Sequence, residues 1–406
     1  MASFSSFESL NPSPEKAHAE SPVPSNRPRL VLCLPSMTPE MLENTLANLA
    51  TVFAPSEVLI ASPDFEQSIT PTPLPVTAYE GPHCQPNWVL TAGNYLVAAS
   101  QAEQHDSASV LMLGSDAATL PPSVVRQMAE LLASGIDLTV PSYSLGPHDG
   151  LVNAALLYPV TRALFAANIR FPLAVDAGMS RRMASRMTQR HATLSQPEAL
   201  VWPVSEAAIA AFSVRQVDAG TRARRPPDTT DFNTLFTDVA GSLFVDIEAK
   251  ASFWQRARSL APAASSEPPP QTGNTNDMDD ELPSMVDAFR LAHNNLHEIW
   301  SLILPPQSLL ALKKLSLTQP AAFSMATGLW ARIVYDFALA FHLRTLNRGH
   351  LLGALTPLYM AWAASTLRFF GDPAASATHL EETAVAFERE KSYLVSRWRW
   401  PDRFNP

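Results

Sequence analysis

The sequence has little of what marks several common protein classes. It contains two cysteines in 406 residues, Cys33 and Cys84, and neither belongs to a Cys-X-X-Cys or Cys/His pattern. This argues against a disulfide framework and against a structural zinc site. Two isolated thiols are typical of a reducing compartment, and we therefore expect a cytoplasmic protein.

Glycine-rich nucleotide motifs are also missing. No Gly-X-Gly-X-X-Gly follows the first predicted strand, and Gly-X-X-X-X-Gly-Lys-Ser/Thr occurs nowhere. A Rossmann dehydrogenase and a P-loop nucleotide hydrolase are both disfavoured, because each needs its glycines to bring backbone close to phosphates.

Long apolar runs are missing as well. The longest uncharged run, residues 351–367, contains Pro357 and is shorter than the roughly 20 residues of a membrane span. We expect a buried helix and no transmembrane segment, with a membrane-dipping helix as the alternative. The first 28 residues have no apolar centre and therefore do not resemble a secretory signal.

The charge pattern excludes another class of partner. The net charge is −9, and the basic residues form no dense stripe with interleaved aromatics. This argues against nucleic acid as the main partner. Nothing in the pattern fixes the oligomeric state, and a homodimer is left open.

Four regions differ in composition. Residues 1–28 are rich in Ser and Pro and are predicted to be a disordered tail. Residues 29–260 alternate between short apolar runs and helical patterns, which predicts an α/β domain with a mainly parallel sheet flanked by helices. Residues 261–284 read as a linker, and 285–406 as an all-helical domain.

The α/β region yields a coarse order of elements. We predict strands at 30–34, 58–61, 110–113, 136–141 and 214–217. We predict helices at 38–53, 88–102, 122–134, 151–168 and 232–260.

Polar side chains follow three of these strands. The strand ends are Pro35-Ser36, Ser62-Pro63-Asp64 and Gly114-Ser115-Asp116. Because the carboxyl ends of parallel strands meet at one edge of a sheet, they outline a pocket for a nucleotide. Asp116 is either a turn or capping acid before the next helix, or a cation ligand that would share Mg²⁺ with substrate phosphates.

This order of elements resembles the GT-A fold of sugar-nucleotide glycosyltransferases. The segments "FPLAVDAGMSRR" (171–182) and "LVWPVSEAAIAAFSVRQVDAG" (200–220) are similar to segments of the mannosylglycerate synthase and glucosyl-3-phosphoglycerate synthase family. The resemblance implies transfer of a hexose from a nucleotide diphosphate sugar to a small hydroxylated or carboxylated acceptor, with retention at the anomeric carbon. A divalent cation, Mg²⁺ or Mn²⁺, is the implied cofactor.

The resemblance also implies roles for individual residues. Asp116 would be the second acid of an Asp-X-Asp motif and would touch the metal. Asp176 and Glu206 would be the catalytic carboxylates, near the donor sugar and the acceptor. The implied nucleotide-binding residues are Pro35, Ser36, Asp64, Ser115, Arg222 and Arg224.

The sequence departs from the family at two positions. Gly114 stands where the first Asp of Asp-X-Asp is expected, and the family's late metal-binding His falls near 221–224, where there is none. Arg222 or Arg224 could meet the diphosphate directly, since the guanidinium fork matches phosphate oxygens. That pattern indicates either a weak metal requirement or a catalytically silent GT-A-like binding module. A nucleotidyltransferase is disfavoured, because "LPSMTPEM" after the first strand has no Gly, Lys or Arg.

Two further features are open from the sequence. Arg181-Arg182 either begins a solvated helix or binds an anion. The terminal "SRWRWPDRFNP" is expected to dock on the protein through its Trp and Arg side chains.

Overall fold

The computed structural model describes most of the α/β and helical regions. The described residues are 29–63, 65, 72–79, 88–114, 116–144, 150–191, 196–221, 231–257, 278–367, 369 and 373–401. The predicted N-terminal tail and most of the predicted linker lie outside this part of the chain. So do four predicted site residues: Asp64, Ser115, Arg222 and Arg224.

A seven-stranded sheet forms the centre of the α/β region, in the order β3-β2-β1-β4-β6-β5-β7. All its strand pairs are parallel except the two that β6 makes, with β4 and with β5. The predicted mainly parallel sheet is confirmed. The strands are β1 Leu30–Cys33, β2 Val58–Ser62, β3 Val76–Ala78, β4 Ser109–Met112, β5 Leu138–Ser144, β6 Ala177–Ser180 and β7 Val214–Thr221.

Helices cover both faces of the sheet, which explains why the inner strands are continuous apolar runs rather than alternating ones. Leu32 and Leu111 belong to one buried cluster, and Val31 and Val110 to another on the opposite face. The helices of this region are α1 Pro39–Ala50, α2 Ala92–Gln104, α3 Pro122–Ala133, α4 Tyr158–Phe165, α5 Arg181–His191, α6 Pro203–Ile209, α7 Phe232–Ala249 and α8 Ala251–Trp254.

Two strands are absent from the sequence prediction. β3 has only three residues. β6 contains Gly178, which weakens a strand pattern, yet tertiary packing demands that glycine. A β-carbon at position 178 would lie 2.4 Å from Thr139 Oγ1 and 2.8 Å from Leu132 Cδ1. Neither the three-residue strand β3 nor the packing around Gly178 can be predicted from local strand propensity.

Among the described residues of the C-terminal region, helices joined by short turns are the only regular elements, as predicted. Its helices are α9 Met278–Ser301, α10 Pro306–Ser316, α11 Thr327–Leu343, α12 Arg348–Leu367 and α13 Pro373–Arg399. α9 begins seven residues before the predicted start at 285.

The helical region packs directly on the α/β region. Trp330 is fully buried, and its Nε1–H donates to the Ala155 carbonyl at 2.7 Å. In an α-helix that carbonyl would accept from residue 159, but Pro159 has no N–H. The indole bonds to this carbonyl beside a π-helical turn at Asn153–Leu157. Both regions contribute to one continuous apolar cluster, and the split into two domains stays a prediction.

The longest uncharged run forms the greater part of α12. Most of its side chains are buried, including Leu355, Leu358 and Trp362. Among the described residues, no helix has the length and apolar character needed to cross a membrane. The predicted buried helix is therefore observed.

The end of α13 docks on the protein, as expected from its sequence. The Trp398 ring stacks on His342 with the ring centroids 4.2 Å apart, and it meets Trp254 edge-on at 5.1 Å. Trp400, by contrast, is exposed.

Candidate functional site

The candidate site lies at the carboxyl edge of the parallel strands. β1 pairs in parallel with β2 on one side and with β4 on the other. The chain segments that follow these three strands therefore leave the sheet along one edge, which we call the rim. Pro35, Ser36 and Asp116 all follow strands at the rim.

The turn after β4 is anchored by a buried carboxylate. The backbone N–H of Gly114 donates to Asp176 Oδ1 at 2.8 Å. The hydroxyl of Tyr143 donates to the other oxygen, Asp176 Oδ2. Asp176 has no exposed surface. It ties together the ends of β4 and β5 and the start of β6.

Gly114 is required by the packing of this turn. A β-carbon at position 114 would lie 2.8 Å from Val175 Cγ1 and 2.9 Å from the Val175 carbonyl oxygen. Real β-carbons do not approach other atoms so closely, and an aspartate is much larger. The missing first acid of the Asp-X-Asp pattern thus has a steric cause.

Asp116 is exposed, and its side chain caps no helix. It precedes the short 3₁₀ turn Ala117–Thr119 and makes no side-chain capping bond. Among the described residues, Asp116 forms hydrogen bonds through its backbone carbonyl, which accepts from the Thr119 hydroxyl at 2.7 Å and from the Thr119 N–H at 2.9 Å. Asp116 therefore lies in a turn, as the first interpretation from sequence predicts, but without a side-chain cap. The cation-ligand role stays a prediction.

The end of β1 forms a narrow, mostly apolar slot. Pro35 is buried and Ser36 is half-buried. The Tyr79 hydroxyl donates to the Leu34 carbonyl at 2.8 Å and closes one side. The enclosed volume is about 10 Å³, with Asn94 on the wall. This is room for about one water molecule, not for a nucleobase.

Glu206 lies in an ionic cluster. Its carboxylate pairs with Lys250 at 2.9 Å, Arg186 at 3.0 Å and Arg190 at 3.3 Å. Burial alone would raise the pKa of Glu206, but the three cations outweigh it and hold the pKa below its ordinary value. The structure therefore gives Glu206 a place in the packing of α5, α6 and the α7–α8 junction. It does not bring Glu206 together with Asp176.

Lys250 is a buried cation of this cluster that the sequence analysis did not single out. Its Nζ also donates to Ser205 Oγ at 2.7 Å and to Asp246. Burial raises the pKa of Asp246 despite the attraction of Lys250. One sequence signal for the cluster around Glu206 was present: Arg186 and Arg190 are four residues apart and therefore lie on one face of a helix.

The paired arginines after β6 bind protein carboxylates. Arg181 pairs with Asp106 at 2.5 Å, and Arg182 pairs with Asp137. β6 runs away from the rim, so both arginines lie near the amino ends of the parallel strands. The anion-binding alternative finds no support there.

Asp116 is the described rim residue whose side chain could contribute to a divalent-cation site. The described residues contain no group of three or more His, Cys, Asp or Glu side chains that could hold a metal ion. Asp116 supplies one exposed carboxylate. Mg²⁺ commonly takes one or two carboxylates and completes its shell with substrate phosphates and water. Asp116 fits that pattern.

Comparisons with known proteins give similarity to solved structures only. No family model matches the sequence, and no curated protein matches it. One similar structure is glucosyl-3-phosphoglycerate synthase from Mycobacterium tuberculosis in complex with Mn²⁺, UDP and glucosyl-3-phosphoglycerate. It is 14% identical over 54% of this chain and 79% of that chain, with a TM-score of 0.37.

A second structure of M. tuberculosis glucosyl-3-phosphoglycerate synthase is 16% identical. The match covers 54% of this chain and 80% of that chain, with a TM-score of 0.36. Similarity at this level carries no argument about activity or about single residues. Inferences about both rest instead on the geometry of the rim.

Proposed function

We propose that this protein is a glycosyltransferase that moves a hexose from a nucleotide diphosphate sugar to a small hydroxylated or carboxylated acceptor. One observation carries the proposal. At the rim, the turn that bears Asp116 is fixed by a buried carboxylate, while the Asp116 carboxylate is exposed and caps nothing. Such a rim is where open α/β sheets bind ligands.

The neighbouring strand ends would bind the nucleotide. In this proposal Pro35 and Ser36 line the base pocket, Asp64 contacts the base, and Ser115 contacts the donor. The slot beside Pro35 is too small for a base as it stands, so binding requires the base to lie above it, at the open edge.

Asp116 would hold Mg²⁺ or Mn²⁺ together with the donor diphosphate. When bound, the cation supplies positive charge where the leaving group becomes more negative. Arg222 and Arg224 follow the rim end of β7 along the sequence. We propose that their guanidinium groups donate to the same diphosphate oxygens, which lowers the requirement for metal.

The contacts change the roles predicted for the two catalytic carboxylates. Asp176 is fully buried, so we propose that it positions the Asp116 turn rather than touching a substrate. Glu206 is already paired with three cations, and we propose that it stabilises the fold. Retention at the anomeric carbon remains part of the proposal that the family resemblance suggests.

Thermal unfolding with nucleotides tests the proposal. We would measure the melting temperature with UDP, GDP and ADP, each with and without Mn²⁺. A ligand at 100 times its dissociation constant stabilises the fold by about 2.7 kcal/mol. We expect a shift with one nucleotide that Mn²⁺ enlarges and that Asp116→Ala reduces. Glu103→Ala, which removes an exposed acid from α2, is the matched control.

A catalytically silent nucleotide-binding or partner-binding module is the second candidate. The observation in its favour is the packing at Gly114, which leaves the turn one carboxylate short. A melting shift with one nucleotide, together with no hexose transfer in a separate assay with its sugar nucleotides, would favour this candidate. No shift with any of the three nucleotides would contradict the glycosyltransferase proposal.

A further inference from the structure

A second cavity lies in the helical region. It has a volume of about 580 Å³ and lies between the first residues of α11, one face of α13 and the segment that contains Arg170. Small-molecule sites typically enclose roughly 300–1,000 Å³. The rim residues Pro35, Ser36 and Asp116 are not part of its lining. The cavity is therefore distinct from the proposed nucleotide site.

One wall of the cavity is fixed by a network of ion pairs. Arg170 stacks on the Tyr158 ring, with its guanidinium carbon 4.5 Å from the ring centroid. Glu381 pairs with Arg162 at 2.5 Å and lies 3.8 Å from Arg170. Arg162 also pairs with Glu388 at 3.0 Å, so Arg162 and Arg170 together balance the charges of Glu381 and Glu388.

The wall formed by α13 presents one unpaired charge of each sign. Arg389 and Glu382 are both exposed and both line the cavity. They are seven residues apart, so they lie on one face of the helix, about 10 Å from each other. Within the described part of the chain, neither side chain has an ion pair or a hydrogen bond.

These groups select for a particular ligand chemistry. A guanidinium fork binds a carboxylate through two parallel hydrogen bonds. Glutamate carboxylates accept hydrogen bonds from hydroxyls, and Val385 and Ala386 offer an apolar surface between the charges. We propose that this cavity binds a small polyhydroxylated carboxylate, that is, a sugar acid.

In this arrangement the ligand carboxylate meets Arg389. The ligand hydroxyls donate to Glu382 and to the free capacity of Glu381. The inference does not depend on the proposed glycosyltransferase activity, because none of these residues belongs to the rim.

Isothermal titration calorimetry on the full chain tests the inference, with D-glucuronate as the probe. We expect D-glucuronate to bind and both D-glucose and acetate to bind at least about tenfold more weakly, since each lacks half of the recognised groups. Arg389→Gln and Glu382→Ala should each weaken D-glucuronate binding by about tenfold or more. Both positions are exposed, so the variants should melt like the parent protein.

Arg215→Gln is the matched control. Arg215 is an exposed arginine on β7 whose side chain, within the described part of the chain, bonds to the neighbouring Val214 carbonyl and to no acid. This variant should bind D-glucuronate like the parent protein. Absence of D-glucuronate binding, acetate binding of equal strength, or unchanged affinity in both cavity variants would each overturn the inference. Competition between UDP and D-glucuronate would also overturn it, because it would place the sugar acid at the rim.

Discussion

Gly114 and Asp176 are joined by a hydrogen bond of 2.8 Å, from the Gly114 N–H to a carboxylate that is fully buried. Val175 packs against the same glycine so closely that no side chain fits. The two contacts have a common consequence. The buried acid that contacts the Asp116 turn is Asp176, from the segment before β6. Position 114 has to remain a glycine because Val175 leaves no room for a side chain.

We predict that substitutions at Gly114 destabilise the protein. Gly114→Ala should cost about 1–3 kcal/mol of unfolding free energy, because the added methyl group meets Val175 side chain and backbone. Gly114→Asp, which restores the Asp-X-Asp pattern, should cost more, because it adds bulk and a charge beside buried Asp176. Urea unfolding monitored by tryptophan fluorescence measures both.

Gly353→Ala is the control for these two variants. Position 353 lies inside α12 with no atom within 4 Å of an added β-carbon. Alanine there should stabilise the helix by about 0.5–1 kcal/mol. A neutral or stabilising Gly114→Ala would show that Val175 moves aside easily, and the steric account would be wrong.

We predict that Tyr143→Phe weakens both the fold and nucleotide binding. The hydroxyl donates to the Asp176 carboxylate, and such charge-assisted bonds contribute about 1.5–3 kcal/mol. Without the Tyr143 hydroxyl, Asp176 can shift, and the Asp116 turn shifts with it. The affinity for the nucleotide that raises the melting temperature should therefore fall severalfold.

Tyr335→Phe separates positioning from stability in that prediction. Tyr335 is a buried tyrosine of α11 whose hydroxyl donates to the Phe387 carbonyl at 2.8 Å. Its loss should cost about 1 kcal/mol and leave nucleotide affinity unchanged. If Tyr143→Phe likewise leaves the nucleotide dissociation constant unchanged, Asp176 has no positioning role.

The sequence was sufficient to predict the parallel sheet because buried parallel strands are apolar on both faces. Leu30, Leu32 and Leu34 lie in an uninterrupted apolar run between a charged segment and a Pro-Ser turn, and this pattern is local. β6 could not be predicted in the same way. Its sequence, Ala-Gly-Met-Ser, becomes a strand because Gly178 fits beneath Thr139 and Leu132, which are distant in sequence.

The candidate site was predictable at its strand ends and not in its interior. Proximity of Ser36 and Asp116 to one edge follows from parallel pairing alone. By contrast, the partners of Asp176 and Glu206 are set by tertiary contacts 33 and 20 residues away, with Tyr143 and Arg186. Both carboxylates make contacts that hold the structure together, and their predicted catalytic roles stay predictions.

We predict an acid-dependent loss of stability that depends on Asp137. Burial alone would raise the pKa of this carboxyl, but bonds from Arg182, the Ser213 N–H and the hydroxyls of Ser180 and Ser213 hold it at about 2, against an ordinary value of 3.8. Since the folded-state pKa is depressed, the carboxylate stabilises the fold fully above about pH 4, and this contribution is lost as the pH falls toward 2.

The size of the effect follows from the shift. At neutral pH it amounts to about 2 kcal/mol. Asp137→Asn should lower stability at pH 7 and make the unfolding free energy less dependent on pH between 4 and 2. Equal pH dependence in Asp137→Asn and in the parent protein would contradict the assignment.

We predict that the described α/β and helical regions unfold together. Trp330 of α11 donates to Ala155 across the contact, and one apolar cluster continues through both regions. Trp330→Ala should lower the stability of the whole chain by about 3–5 kcal/mol, and circular dichroism and tryptophan fluorescence should report one coincident transition in denaturant. Trp398→Ala, which removes a side chain from the end of α13, is the comparison. Two separate transitions, with Trp330→Ala shifting only the helical one, would instead support independent domains at 29–260 and 285–406.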